Sequence, residues 1–253
     1  MRSTILLVLA SSHAAQAAST IFHLTDVHVD PYYVTGSIAT CYCETHETCP
    51  RFPPSCGMAN ATDVAAGPFG DSPNNCATPP ALWASATTFL ASALPAPSVV
   101  FFTGDFGEAG LSAACGPPPL PTAQRQILDV VAHGMGSVRA LFPAARVFGV
   151  YGNHDSSPGD YFGSSEEMAW LYGPLGAPTG AFGVDLAGDT AALESLQASG
   201  WYTTALTPRT ALIALNTNYW TTLYVSTRTT PARPTTTPFK KTNPNPNPTP
   251  PKP

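Results

Sequence analysis

The chain has 253 residues, enough for one large α/β domain or two small ones. Only 11% of its residues are charged, and the acidic ones outnumber the basic ones. All sixteen acidic residues lie within residues 1–220, which carry a net charge of −10. This acidic body argues against nucleic acid as a partner.

The first 17 residues predict a secretory signal peptide. Arg2 supplies the positive charge, residues 5–10 form the apolar core, and Ala15-Gln16-Ala17 fits a cleavage site. The apolar run is too short to cross a bilayer, which needs about 20 residues. No later stretch qualifies as a transmembrane helix. We therefore expect a protein that is secreted or enters a lysosome-like compartment.

Cysteine usage agrees with export. The even number of six cysteines behind a signal peptide predicts disulfides, whose connectivity the sequence leaves open. Five of them lie in residues 30–80 among many Gly, Pro and Asn residues, which indicates a long cross-linked loop. Cys41, Cys43, His46 and Cys49 also suit a zinc cluster, but disulfides are favoured in a secreted chain. Asn60-Ala61-Thr62 is a glycosylation sequon.

Apolar runs alternate with helical patterns through the middle of the chain. Residues 19–28 predict a buried strand followed by a loop, and residues 98–103 and 145–151 predict two more buried strands. Residues 81–94 and 122–141 predict the helices between them. Thr122 is the expected N-cap of the second helix. The order strand–helix–strand–helix–strand predicts parallel pairing with crossover helices. Further on, the pattern predicts helices at 165–171 and 190–199 and strands at 201–206 and 210–216.

The pattern stops after Trp220. Residues 231–253 contain nine prolines, a density that allows neither a helix nor a central strand. We therefore divide the chain into a signal peptide (1–17), a folded domain (18–220) and a disordered tail rich in Pro, Thr and Asn (221–253).

Each of the first three predicted strands is followed by a polar cluster. These clusters are Asp26-Val27-His28, Gly104-Asp105 and Gly152-Asn153-His154-Asp155. Ligands bind at the carboxyl ends of the strands in open α/β sheets, so the three clusters are expected on one rim. Carboxylate, imidazole and amide groups form a mixed oxygen and nitrogen ligand set that suits Zn²⁺, Mn²⁺ or Fe²⁺.

Any one of these clusters alone is common at strand ends and on surfaces. All three in this order, each behind an apolar strand, predict a site for two divalent ions. A carboxylate such as Asp105 can bridge two ions, and two ions can clamp a phosphoryl group and activate a water. The order also resembles the opening half of the calcineurin-like metallophosphoesterase signature.

Other stretches narrow the resemblance to the acid sphingomyelinases and acid sphingomyelinase-like phosphodiesterases. They are residues 24–33, 67–71, 102–105 and 215–218. The resemblance implies an α/β fold, a layered metallophosphoesterase-type β-sandwich flanked by helices. It implies a zinc-dependent phosphodiesterase whose substrate is a soluble phosphate ester or a sphingomyelin-like lipid.

The resemblance also implies roles for single residues. Asp26 and His28 would hold the first metal ion, Asp105 would bridge both, and Asn153 would hold the second. His154 would contact the phosphate or protonate the leaving group.

Two departures from the family pattern stand out. Ala109 occupies a position where the family has a histidine, and no histidine follows His154, although the family supplies three further histidine ligands there. We therefore expect a C-terminally truncated member, incomplete in the second half of the fold, that holds at most one ion tightly. The alternative is a catalytically inactive fragment or an artefact of the gene model.

Overall fold

A three-stranded parallel sheet lies at the centre of the computed structural model, which describes residues 20–74, 76–93, 95–108, 113–116 and 119–220. The predicted signal peptide (1–17) and tail (221–253) lie outside the described residues. Strands β1 (Ile21–Leu24), β2 (Val99–Phe102) and β3 (Arg146–Gly149) pair in the order β1-β2-β3. All pairings are parallel, which confirms the prediction, although each strand is shorter than expected.

Two helices cover one face of this sheet. Helix α1 (Pro80–Ala93) connects β1 to β2, and helix α2 (Ala123–Leu141) connects β2 to β3. Right-handed crossovers between sequential strands place both helices on the same side. On that side the ring of Phe22 packs edge-on against Phe142 at 5.3 Å, and Trp83 packs against Phe102 at 6.5 Å.

Helix α2 begins and packs as its sequence predicts. The Thr122 side chain caps it by accepting a hydrogen bond from the Arg125 backbone N–H. Ile127, Val131 and Met135 recur at four-residue spacing and are fully buried. Gly134 lies on the same face, where an added Cβ would come within 2.5 Å of the Phe106 ring. This close approach seats Phe106, the residue that follows Asp105.

The C-terminal third of the described chain adds helices and a hairpin. Helix α3 (Ala169–Gly176), helix α4 (Thr190–Ser199) and the antiparallel strands β4 (Tyr202–Thr207) and β5 (Thr210–Ala214) follow in order. Helix α4 and both strands match the prediction closely. Short 3₁₀ turns occupy Ala39–Cys41, Ser72–Asn74, Val184–Leu186 and Thr217–Trp220.

The prediction of a helix at 165–171 was wrong by about one turn. The Glu167 carboxylate accepts hydrogen bonds from the Ser164 backbone N–H and the Tyr161 hydroxyl. The Ser164 hydroxyl oxygen in turn accepts the backbone N–H of Glu167, so the pair forms a capping box. Residues 165–168 form turns, and α3 begins at Ala169. It then continues past Pro174, a residue that usually ends a helix.

The second face of the parallel sheet borders a cavity of about 210 Å³. Side chains alternate between the two faces of a strand, so Ile21, Phe101 and Phe148 point away from the helices and line this cavity. Residues of β5 line its other side, among them Ile213, which is 59% exposed. The fold is thus mixed α/β, with a parallel and an antiparallel sheet and an exposed apolar surface between them.

Three disulfides cross-link the long segment between β1 and α1 and tie it to the loop after β2. They join Cys41 to Cys56, Cys43 to Cys76, and Cys49 to Cys115. The prediction of disulfides over a zinc cluster is confirmed, and the structure supplies the connectivity. Among the helices of the described residues, none is long and apolar enough to cross a membrane.

A buried carboxylate lies beside the third disulfide. Glu44 is 1% exposed, and its Oε1 accepts a hydrogen bond from Arg51 at 3.1 Å. Arg51 also lies 3.6 Å from Oε1 of Glu108. Burial raises the pKa of Glu44 to about 7, Arg51 opposes this rise, and the charge of Glu108 adds to it.

The Glu44 carboxyl makes stability depend on pH. Its folded pKa lies above its usual value, so it costs no stability in acid and destabilises the fold as pH rises towards 7. We expect Glu44→Gln to reduce the loss of unfolding free energy between about pH 5 and pH 8 by up to about 3 kcal/mol. Chemical denaturation with the disulfides intact measures this difference. Glu47→Gln, at an exposed position in the same segment, is the control; equal pH profiles for both variants would contradict the account.

Candidate metal centre

Three loops meet where the strands of the parallel sheet end. Backbone pairing between β1 and β2 continues beyond the strands, since the N–H groups of Asp26 and His28 donate to the carbonyls of Gly104 and Asp105. These bonds measure 3.1 and 3.0 Å. The first two polar clusters of the sequence are therefore held side by side by their backbones.

Glycines allow the third loop to approach equally closely. A Cβ at Gly104 would lie 2.1 Å from the backbone nitrogen of Gly152. A Cβ at Gly152 would lie 2.1 Å from Oδ1 of Asp105. Neither position has room for a side chain, so the glycines ahead of Asp105 and Asn153 are required for the contact between loops.

The Asp155 carboxylate joins the second and third loops. Its Oδ2 accepts the backbone N–H groups of Asp105 and Gly152, and its Oδ1 accepts that of Phe106, each at 2.9 Å. The residue is fully buried. Burial raises its pKa to about 7, the charge of Asp105 adds to the rise, and the three N–H groups oppose it.

His28, Asp105 and His154 converge at this junction. Each offers one ligand atom, and these atoms all lie within 4.8 Å of one another. Nε2 of His28 is 3.8 Å from Oδ2 of Asp105, and the rings of His28 and His154 are 5.1 Å apart. Oδ1 of Asp105 accepts the backbone N–H of His154 at 2.8 Å.

The hydrogen bond on the far side of the His28 ring defines its tautomer. Nδ1 lies 3.1 Å from the carbonyl oxygen of Gly107, which only accepts, so Nδ1 carries the proton. The lone pair is therefore on Nε2, the nitrogen that faces Asp105. A backbone carbonyl is one of the partners by which proteins orient a metal-binding histidine.

Asp105 is a buried carboxylate, 7% exposed. Burial raises its pKa, while the hydrogen bond from His154 and the rings of His154 and His28 oppose the rise. The backbone of Asp105, like those of Asp26 and His28, lies in the left-handed region, with φ of 57°, 53° and 44°. Residues other than glycine rarely adopt this conformation, and such strain concentrates at functional sites.

The other two residues assigned to the site lie near it in different surroundings. Asp26 is exposed and accepts a hydrogen bond from the Thr25 hydroxyl; it does not join the cluster of His28, Asp105 and His154. Its charge still raises the pKa of Asp105. The Asn153 amide donates from Nδ2 to Oδ1 of Asp160 at 2.6 Å.

Sequence reasoning missed several residues that shape the site. Asp155 belongs to the third polar cluster, but the sequence did not reveal that it joins two loops. Its position directly after His154 was the feature that pointed to a role in the site. Asp160 lies outside any motif. Asn218, in the 3₁₀ turn after β5, donates from Nδ2 to the carbonyl of Tyr151 and so supports the third loop.

The donor set of the cluster fits a divalent ion. His28 presents an oriented nitrogen lone pair and Asp105 a desolvated carboxylate. Nδ1 of His154 is buried and has no hydrogen-bond partner within the described part of the chain. A buried polar atom without a partner is costly, and a bound ion or ligand would relieve that cost.

Comparison with known proteins identifies phosphodiesterases among the relatives of this chain. No protein-family model matches the chain. It is 28% identical over 218 residues to the cyclic GMP-AMP phosphodiesterase SMPDL3A of Rattus norvegicus, which covers 84% of this chain and 42% of the rat protein. The Bos taurus protein of the same name is 29% identical over 220 residues, with coverages of 85% and 42%.

A third relative carries the family name. The acid sphingomyelinase-like phosphodiesterase 3b of Homo sapiens is 29% identical over 161 residues, covering 62% of this chain and 30% of the human protein. The chain is therefore related to phosphodiesterases. Its relatives are acid sphingomyelinase-like phosphodiesterases, which confirms the resemblance inferred from the motifs. The chain spans less than half the length of the curated relatives it matches.

The account of Asp155 predicts a large loss of stability on its removal. Asp155→Ala leaves three N–H groups, two of them buried, without an acceptor, and each buried one costs about 1–3 kcal/mol. We expect the free energy of unfolding to fall by about 3 kcal/mol or more, as measured by chemical denaturation. Asp129→Ala, whose side chain is 71% exposed, is the control and should change it by less than about 0.5 kcal/mol. A similar small change in both variants would contradict the account.

Proposed function

We propose that this chain contributes to the active site of a metal-dependent phosphodiesterase, located where the three strand-end loops meet. The convergence of His28, Asp105 and His154 within 4.8 Å is the observation that supports it most directly. The sequence relatives also support the proposal, because they are named as phosphodiesterases. The proposal includes the finer fold assignment, in which the parallel sheet forms part of a metallophosphoesterase-type sandwich.

Within this proposal, His28 and Asp105 hold the first ion and Asp26 completes its set. Asp26 is exposed, so its carboxylate has room to turn towards the ion. Asp105 and Asn153 are the ligands for a second ion. Zinc is the metal that best suits this mixture of imidazole and carboxylate ligands. Bound divalent ions supply positive charge to phosphoryl oxygens and lower the pKa of a bound water.

His154 acts on the substrate rather than as a primary ligand. Its ring lies against that of His28, and its backbone is fixed by the hydrogen bond to Asp105. From this position a protonated ring donates a proton to the departing oxygen, while a neutral ring binds a phosphate oxygen through its N–H. Both roles require the ring to stay near Asp105, and the backbone hydrogen bond fixes the point from which the side chain extends.

The proposed substrate is a phosphodiester, and a soluble one is favoured. Two relatives are named cyclic GMP-AMP phosphodiesterases, and another is named for its likeness to acid sphingomyelinase. A cyclic dinucleotide and sphingomyelin are therefore the two substrates to compare. The three disulfides support an oxidising compartment, so we also propose that the protein is secreted or delivered to a lysosome-like compartment.

The proposal predicts phosphodiester hydrolysis that depends on metal and on Asp105. The purified, disulfide-bonded chain is assayed with bis-p-nitrophenyl phosphate, cyclic GMP-AMP and sphingomyelin micelles, with and without chelator. We expect hydrolysis of the soluble esters that chelator abolishes and zinc restores. Asp105→Asn should lower kcat/KM by about 100-fold or more, since a neutral amide loses the bridging charge.

Metal content measured after gel filtration provides a second readout. We expect at most one tightly held ion per wild-type chain, with an affinity that falls in acid because protons compete for the nitrogen of His28. Asp105→Asn should lose this ion, and the control Asp129→Asn should keep it. Hydrolysis that resists chelator, or an ion that survives Asp105→Asn, would contradict the proposal. No hydrolysis of any of the three substrates would favour an inactive chain.

A further inference from the structure

Asp160 holds both the side chain and the backbone of Asn153. Nδ2 of Asn153 donates to Oδ1 of Asp160 at 2.6 Å. In return, the backbone N–H of Asp160 donates to the carbonyl oxygen of Asn153 at 2.9 Å. The two residues are seven apart in the sequence, so this reciprocal pair closes the loop between them.

The partner of the amide determines which way the amide faces. An ionised carboxylate only accepts hydrogen bonds, so Asp160 requires the NH₂ end of Asn153 on its side. Oδ1 is then left as the acceptor available to a ligand. Without the carboxylate, the two ends of the amide are nearly equal in size and could exchange places by rotation about one bond.

The remainder of the loop is already fixed. The Ser156 hydroxyl bridges the carbonyls of Asn153 and Pro158 at 3.1 and 3.0 Å, and Asp155 is tied to the neighbouring loop. The backbone of Asn153 therefore has little freedom, and the direction of its amide is the variable that Asp160 controls. Asp160 itself has φ of 63°, a conformation that Asp and Asn tolerate better than most residues.

We propose that Asp160 is a positioning residue that presents Oδ1 of Asn153 as a metal ligand. This inference rests on the proposed function, in which Asn153 holds the second ion. An amide oxygen is a weak neutral ligand, and a charge-assisted hydrogen bond to the NH₂ end increases the negative charge on that oxygen. Partners of this kind typically change metal affinity by about 10- to 100-fold.

The test measures the second ion directly. Manganese binding to the disulfide-bonded chain is counted by electron paramagnetic resonance, first alone and then with inorganic phosphate to bridge the ions. Asp160→Gly removes the carboxylate without straining the backbone, because glycine readily adopts a positive φ. Asp160→Asn keeps an acceptor oxygen and tolerates the same backbone. Asp129→Asn is the matched control at an exposed acidic position.

We expect the wild-type chain and the control to hold one ion in manganese alone and a second with phosphate. Asp160→Gly should weaken the second ion by about tenfold or more and leave the first unchanged. Asp160→Asn should fall between wild type and Asp160→Gly, because its amide oxygen can still accept from Asn153 but carries no charge and competes with its own NH₂ end.

Three results would overturn the inference. They are a second ion bound equally well by Asp160→Gly and wild type, an equal loss in Asp160→Asn and Asp160→Gly, and no second ion in wild type with phosphate. A failure of the proposed function gives a different result from a failure of this inference. In that case the first ion is absent from wild type or survives Asp105→Asn. If Asp160→Gly does not fold, the side-chain amide resonance of Asn153 decides. In wild type its NH₂ group should resonate as a hydrogen-bonded amide, and a resonance typical of a water-exposed amide would overturn the role.

Discussion

The buried carboxylate of Asp155 is the constraint on which the rest of the site depends. It accepts three backbone N–H groups, two from the loop after β2 and one from the loop after β3. These bonds fix the relative positions of Asp105 and His154, which a further bond joins directly. Because Gly104 and Gly152 carry no side chains, the loops come close enough for one carboxylate to satisfy both. The first polar cluster joins this junction through its backbone, because the N–H groups of Asp26 and His28 donate to the loop after β2.

Negative charge accumulates at this junction. Asp105 and Asp155 are buried, and Asp26 and the Asn153 partner Asp160 add two more carboxylates. Within the described residues, the rings of His28 and His154 oppose this negative charge at Asp105. Carboxylates in a desolvated site repel one another and raise pKa values, as burial and the charge of Asp105 do for Asp155, and as burial and the charge of Asp26 do for Asp105. A cation lowers the energy of such a cluster far more than it would lower that of an exposed one. The structure therefore favours a positively charged ligand before any substrate is considered.

Much of the fold was predictable because its signals are local. Apolar runs such as Val99–Phe102 and the four-residue spacing on α2 identify elements without knowledge of the partners, and strand–helix alternation fixes parallel pairing. The helical pattern placed the start of α3 about one turn early, because the capping box of Ser164 and Glu167 leads first into turns at residues 165–168. The disulfide pairing could not be predicted, since it depends on how a long irregular loop folds back on itself.

For the site, the sequence predicted which residues share a rim but not their contacts. The ends of parallel strands bring His28, Asp105 and His154 together, whereas Asp26 remains exposed beside them. Asp160 could not be found from sequence, because its contact with Asn153 depends on the path of an irregular loop.

The most direct test of the account is anomalous diffraction from crystals of the disulfide-bonded chain grown with zinc. The account predicts an anomalous peak about 2.0–2.2 Å from both Nε2 of His28 and a carboxylate oxygen of Asp105. A well-occupied ion elsewhere, with these two side chains left without one, would contradict it.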